Sequence, residues 1–469
     1  MPMGHKELFC SLSTVALGFA ALFYILNANL GGLATFVLSV VLLCACGLIL
    51  QKLHAIEGQW GLLMLRTKAG LGRIDALAKK HPEVWNMLTD FGLVFGYGLL
   101  AYFLIDNDKK KPLRKPTIIL LSIISLLLTV LFISPYIFPL AGTVISGLDV
   151  GGVSVQAKAA ASIFPFFALL SFAMLIVGGL TLTTIVSIVT YGLHILTKLT
   201  SSIVFGTGEI ANTPSGAFFL VPGRNLPLFE GIIALALLLV VHEAAHGVLS
   251  RVAKIKLKSA GLVLFGFLPV GAFVDPDENE LRKSSRSAQL RVMVAGSTAN
   301  ILTAILSFLV LLGFVIGTSQ FRPDALKVVS GALPEGTYVY SINGIGAKEL
   351  QTTKFAPSQK LVISTEKGII NTEANKVGEV GVSYLYLKNS QYLASVFPPE
   401  FAFLKFVFNV LALLFVLNFL VGTVNLLPLP MFDGYHIVSI AIDNKNIVLA
   451  IMAVVGVAFV SNFLPSLFK

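Results

Sequence analysis

Gly231-Ile232-Ile233-Ala234-Leu235-Ala236-Leu237-Leu238-Leu239-Val240-Val241-His242-Glu243-Ala244-Ala245-His246 decides how the rest of the chain is read. An uncharged apolar run ends abruptly in three ionisable side chains. On a helix, positions four apart lie on one face, one turn from each other. Both imidazoles can then grip one metal ion, and the glutamate beside the first can reach a water at that metal. H-E-x-x-H is the spacing used for metal-assisted hydrolysis. On a soluble helix the same five residues can arise by chance and simply be solvated. At bilayer depth ionisable groups are expensive, and that favours a functional site.

Working outward, the 469 residues are 56% hydrophobic and 12% charged, with a mean hydropathy of +0.86. Soluble domains carry about 25% charged residues. The fold class expected is a multi-pass α-helical membrane protein. The net charge is +10, but the basic residues sit between apolar runs. Lys109, Lys110, Lys111, Arg114 and Lys115 flank one run, and Arg251, Lys254, Lys256 and Lys258 follow another. That placement suits lipid headgroups and topology, and no nucleic-acid partner is expected. Cys10, Cys44 and Cys46 lie in apolar runs and form neither a disulfide framework nor a zinc ribbon. No cleavable leader is expected, because residues 10–26 are long enough to be a first span.

Four regions follow. Residues 1–200 are N-terminal transmembrane helices: a hairpin at 10–26 and 32–51, a short apolar piece at 91–105, and spans at 117–140 and 164–197. Within them, 52–90 mixes Trp60, Trp85 and basic residues with leucines, the pattern of an amphipathic segment at the interface. A small-residue loop is expected at 141–163, an irregular one at 199–228, and His194 as a polar cap at a helix end. Residues 220–320 form the first part of a membrane core: the His242 helix, a re-entrant hairpin at 259–274 interrupted by Gly261, Gly266, Pro269 and Gly271, and a span at 292–317. Residues 322–398 are a small, mostly β insertion with strands at 338–342, 361–364 and 380–384, and Asn343-Gly344 as a hairpin turn. Residues 402–469 complete the core, with spans at 402–424 and 447–464.

Between those last spans lies Asn425-Leu426-Leu427-Pro428-Leu429-Pro430-Met431-Phe432-Asp433-Gly434-Tyr435-His436. Two prolines so close cannot continue a helix. Unwound backbone at membrane depth is tolerated only against protein or a cavity. A catalytic zinc takes three protein ligands and keeps one position open. Asp433 is the candidate third ligand, with His436 as an alternative or supporting group.

These residues carry a resemblance. His242-Glu243-Ala244-Ala245-His246 together with Asn425-Leu426-Leu427-Pro428 and Phe432-Asp433-Gly434 resembles the site-2 protease family of intramembrane zinc metalloproteases, peptidase family M50. Gly271-Ala272-Phe273-Val274, Ala295-Gly296 with Asn300, and a PDZ-like Pro334-Glu335-Gly336 with Ser341-Ile342-Asn343-Gly344 place the chain near archaeal members with an inserted PDZ domain. The resemblance covers about residues 220–440. Phe432 stands where the family usually has leucine, a change that leaves the carboxylate intact.

The resemblance implies Zn²⁺ held by His242, His246 and Asp433, with Glu243 as catalytic base and Asn425 or Asn300 supporting the substrate backbone. It implies membrane-anchored protein substrates, cut within the bilayer of the cell membrane. The PDZ-like insert would bind a peptide end, act as a size filter, or serve as a spacer. A metal-ion or proton transporter using the same ligands is the main rival, but the polar groups concentrate in two segments. A histidine-box oxygenase needs clustered histidines, whereas His5, His54, His81 and His194 are scattered. Basic runs at 251–258 and 276–291 put that face in the cytoplasm, yet the basic run 109–115 then falls on the opposite side.

Overall fold

The computed structural model describes residues 5–28, 30, 32–106, 114–145, 165–365, 368–389, 397 and 401–468. Among these are nine helices long and apolar enough to cross a membrane. In chain order the main helices are α1 His5–Asn27, α2 Gly32–His54, α3 Leu71–Lys80, α4 Pro82–Tyr97, α5 Lys115–Val144, α6 Pro165–Phe205, α7 Leu228–Val252, α8 Arg286–Gly317, α9 Ala402–Val424, α10 Asp433–Ala441 and α11 Lys445–Ser461. The spans are α1, α2, α4 with the 3₁₀ turn that follows it, α5 to α9, and α11 with its C-terminal turn. The protein is an integral multi-pass membrane protein with an inserted β domain.

The core lies where α5, α7, α8 and α9 meet. Ala234, Leu238, Ala304, Phe308, Leu311, Phe408, Ala412 and Phe415 are buried there in one cluster. Small residues on facing helices let backbones approach, as expected where lipid removes any hydrophobic drive between helices. The predicted span at 402–424 coincides with α9.

Around α4 the structure departs from expectation. The short apolar piece 91–105 is the second half of a longer element, because α4 starts at Pro82 and continues through a 3₁₀ turn at Gly98–Phe103. Its end interlocks with a kink in α6. Gly179 has φ 63° and ψ −157° inside that helix. A Cβ on Gly98 would lie 2.4 Å from the Ile176 carbonyl oxygen, and one on Gly179 would lie 2.5 Å from the Gly96 backbone. Only glycines permit this backbone-on-backbone contact.

α6 runs on to Phe205, so His194 lies inside a helix and caps nothing, and the irregular stretch begins later than 199. Helix α5 takes in residues 141–144 of the expected loop, and 146–163 lie outside the described residues.

The segments at 52–90 and 259–274 meet in one sheet. Strands β1 Gly58–Gln59, β2 Leu62–Thr67, β3 Leu257–Phe265 and β4 Leu268–Pro276 pair antiparallel in that order. Leu62 faces Phe265 and Thr67 faces Ala260; Leu257 faces Pro276 and Phe265 faces Leu268. The stretch expected to form a re-entrant hairpin is therefore a β-hairpin, and part of the expected interfacial segment is a strand joined to it. Arg66 ties the layers by donating to Glu57 at 2.7 Å and to Asp275 at 2.6 Å. Residues 82–90 enter α4, and α3 keeps the amphipathic helical form, with Ile74 and Ala78 packed on Val248 and Leu249 of α7. Its Asp75 pairs with Arg251.

The inserted β domain has strands β5 Ala325–Gly331, β6 Tyr338–Ile342, β7 Ile345–Gly346, β8 Lys360–Thr365, β9 Gly368–Glu373 and β10 Val382–Leu387. The order is β10-β5-β6-β8-β9, with β7 on β6. The Asn343-Gly344 turn is present: Ile342 faces Ile345, and both turn residues have positive φ, 50° and 82°. That is the backbone a two-residue hairpin demands.

Candidate metal centre

His242 and His246 project from one face of α7, with ring centroids 4.8 Å apart. Their Nε2 atoms are 3.2 Å apart. Asp433 comes from the far end of the chain. After α9 ends at Val424, Pro428 and Pro430 prevent helix from resuming until Asp433 opens α10. The segment folds back on itself: the Gly434 N–H donates to the Asn425 carbonyl at 2.8 Å. Leu426 and Leu427 are fully buried, and Phe432 packs edge-on to Phe459. This brings Asp433 Oδ2 to 3.4 Å from both Nε2 atoms. As first residue of α10, the carboxylate also sits at the positive end of the helix dipole.

The three donor atoms fit a metal. Arms of about 2.0–2.1 Å at tetrahedral angles place ligand atoms about 3.4 Å apart. The separations here are 3.2, 3.4 and 3.4 Å. Asp433 Oδ2 is buried and has no hydrogen-bond partner, which is costly unless something cationic completes it. Among the described residues, His242, His246 and Asp433 form the one group of three such side chains able to hold an ion.

Neighbouring helices fix these donors. His246 Nδ1 lies 2.7 Å from the Val292 carbonyl on α8. One residue earlier, Arg291 makes a forked pair with Asp90 of α4, at 2.9 and 3.1 Å. Gly296 of α8 faces the donors: a Cβ there would lie 2.4 Å from His242 Nε2 and from His246 Nε2. Asn300, one turn further, is fully buried with its amide nitrogen Nδ2 3.1 Å from His242 Nδ1. Asn425 is tied to the residue after Asp433 through its backbone carbonyl. His436 is exposed beyond Asp433 and stacks edge-on with Tyr435.

Glu243 points to the sheet, where its Oε2 accepts the Val274 N–H of β4 at 2.9 Å. Because β3 occupies the other side of β4, that N–H belongs to the free edge of the sheet.

Sequence reasoning assembled His242, Glu243, His246 and Asp433. It read Gly296 only as a small packing residue. The roles of Val274 and Val292 are carried by backbone atoms, which leave no trace in residue identity. The Asp90–Arg291 pair joins positions too distant for any local pattern.

Residues 230–462 match peptidase family M50. Over those residues the chain belongs to this family. It is also similar to an uncharacterized protein of Methanocaldococcus jannaschii, with 28% identity over 217 residues, 46% of this chain and 58% of that protein. The matched region of that relative is thus less than two thirds of its length. The M50 match begins at the first turn of α7 and ends just past α11, so it spans both halves of the candidate metal centre and the β domain between them.

Proposed function

We propose that the protein is an intramembrane zinc metalloendopeptidase that hydrolyses peptide bonds in the transmembrane segments of membrane-anchored proteins. One observation carries this reading: two donor atoms from the apolar span α7 and one from α10 converge at tetrahedral separations, with a carboxylate beside them. His242, His246 and Asp433 hold the ion, and zinc suits a two-imidazole, one-carboxylate set. When bound, the ion polarises the scissile carbonyl and acidifies the attacking water.

Glu243 takes the proton of that water and returns it to the leaving amine nitrogen. The Val274 N–H fixes Glu243 in place, which suits a base and serves no purpose in a cargo site. Substrate helices must unwind before attack, since their carbonyls are internally hydrogen-bonded. The free edge of β4 offers an extended segment a pairing partner beside Glu243. The domain at 325–387 is read as PDZ-like, gripping a peptide end or limiting substrate size. Regulated proteolysis of membrane-anchored substrates is the corresponding cellular role.

The test is purified protein in detergent with a single-span substrate, comparing wild type with Glu243→Gln. Zinc is expected in both, and cleavage only in the wild type, abolished by a chelator and restored by zinc. Metal flux without cleavage in the wild type would replace this reading with transport.

A further inference from the structure

We infer that Asn300 is the positioning residue that selects the metal-binding tautomer of His242. This rests on the metal centre proposed above. The sequence suggested a substrate contact for Asn300, but its side chain is fully buried and its amide nitrogen Nδ2 lies 3.1 Å from His242 Nδ1.

The chemistry follows from counting protons. An imidazole whose Nε2 lone pair goes to a metal is neutral and carries its proton on Nδ1. That proton needs an acceptor. For His246 the acceptor is a backbone carbonyl, Val292 O at 2.7 Å, which admits one tautomer only. For His242 the neighbour is an amide, which offers an oxygen from one end and N–H donors from the other. With its oxygen toward Nδ1, Asn300 accepts the proton and leaves Nε2 free to bind. With its nitrogen toward Nδ1, the orientation seen here, it donates there and drives the proton onto Nε2, where it blocks the metal.

Asn300 Oδ1 is buried and has no partner. A buried amide oxygen left bare is costly, and turning it to the Nδ1–H satisfies both groups at once. The two histidines thus differ: α8 locks one tautomer by main chain and sets the other through a side chain that substitution can change.

The experiment measures zinc affinity of the full-length protein in detergent by competition with a chelating dye. Asn300→Leu keeps the branched outline and removes the acceptor. Asn300→Asp supplies an acceptor that cannot donate when ionised. Ser297→Ala, one turn away on α8, controls for packing. The expected result is a loss of about 10- to 100-fold for Asn300→Leu, the usual cost of removing a partner that orients a ligand. Asn300→Asp should bind at least as tightly as wild type, and Ser297→Ala should bind like it. Equal losses in the Leu and Asp variants, or none in the Leu variant, overturn the inference while wild-type zinc binding stands. Absence of zinc from the wild type overturns the metal centre itself, and this inference with it.

Discussion

Gly296→Ala adds one methyl group to α8 at the point where that helix faces the donors. The new Cβ would lie 2.4 Å from His242 Nε2, His242 Cε1 and His246 Nε2, whereas ordinary contact begins at 3.4 Å. Both rings must therefore retreat by about 1 Å, or α8 must withdraw from α7. The rings are poorly placed to yield, since Val292 and Asn300 hold their far nitrogens. Catalytic geometry tolerates about 0.5 Å, and a 1 Å displacement costs about 10²-fold in rate, or about 2.7 kcal/mol. The assay is zinc content by mass spectrometry alongside cleavage of a single-span substrate. Gly313→Ala on the same helix is the control, because nothing lies within 4 Å of its added Cβ. Gly296→Ala is expected to lose bound zinc and at least about 100-fold in kcat/KM, with Gly313→Ala unchanged. Wild-type zinc and cleavage in Gly296→Ala would show that these donors do not act from this arrangement.

Gly434→Ala should displace Asp433, because the added Cβ would lie 2.0 Å from the Leu426 carbonyl oxygen; zinc affinity is the readout, and unchanged affinity would count against the aspartate as a ligand. Asp90→Ala strands Arg291 in a nearly buried position. It should cost about 3–5 kcal/mol, read as a lowered unfolding midpoint that Arg291→Met in the same chain largely restores. Asp277 caps the helix at Glu278–Lys283, and the Glu280 backbone N–H, aided by Lys258, holds its carboxyl below the ordinary range. A depressed folded value means the contribution is complete above about pH 4 and disappears as pH falls through that lower value. Hydrogen exchange should show this helix opening in acid, and Asp277→Ala should remove the dependence.

Legibility in the sequence followed distance along the chain. The α9 span, the β6 strand and the Asn343-Gly344 turn were readable because each is set by a few consecutive residues. His242, Glu243 and His246 were readable because a helix converts fixed spacing into proximity. Asp433 was legible only because two prolines marked broken backbone at membrane depth. The sheet was not: β2 and β3 lie about two hundred residues apart, and a short strand of mostly apolar residues with one arginine looks like an interfacial segment until its partner is known. The α6 kink was hidden because Gly178-Gly179 sits in an otherwise continuous apolar run. The Asn300 contact was equally hidden, since a lone asparagine in a span announces a polar partner without saying which.

Strand β2 also bears on how the molecule can be divided. The M50 match starts at residue 230, yet the hairpin that steadies Glu243 leans on residues 62–67. A fragment beginning after α6 would keep every donor atom and still leave the outer edge of β3 bare, a row of amides and carbonyls without the strand that pairs with them. The two halves share one sheet, and cutting between them should disarm the base without touching it.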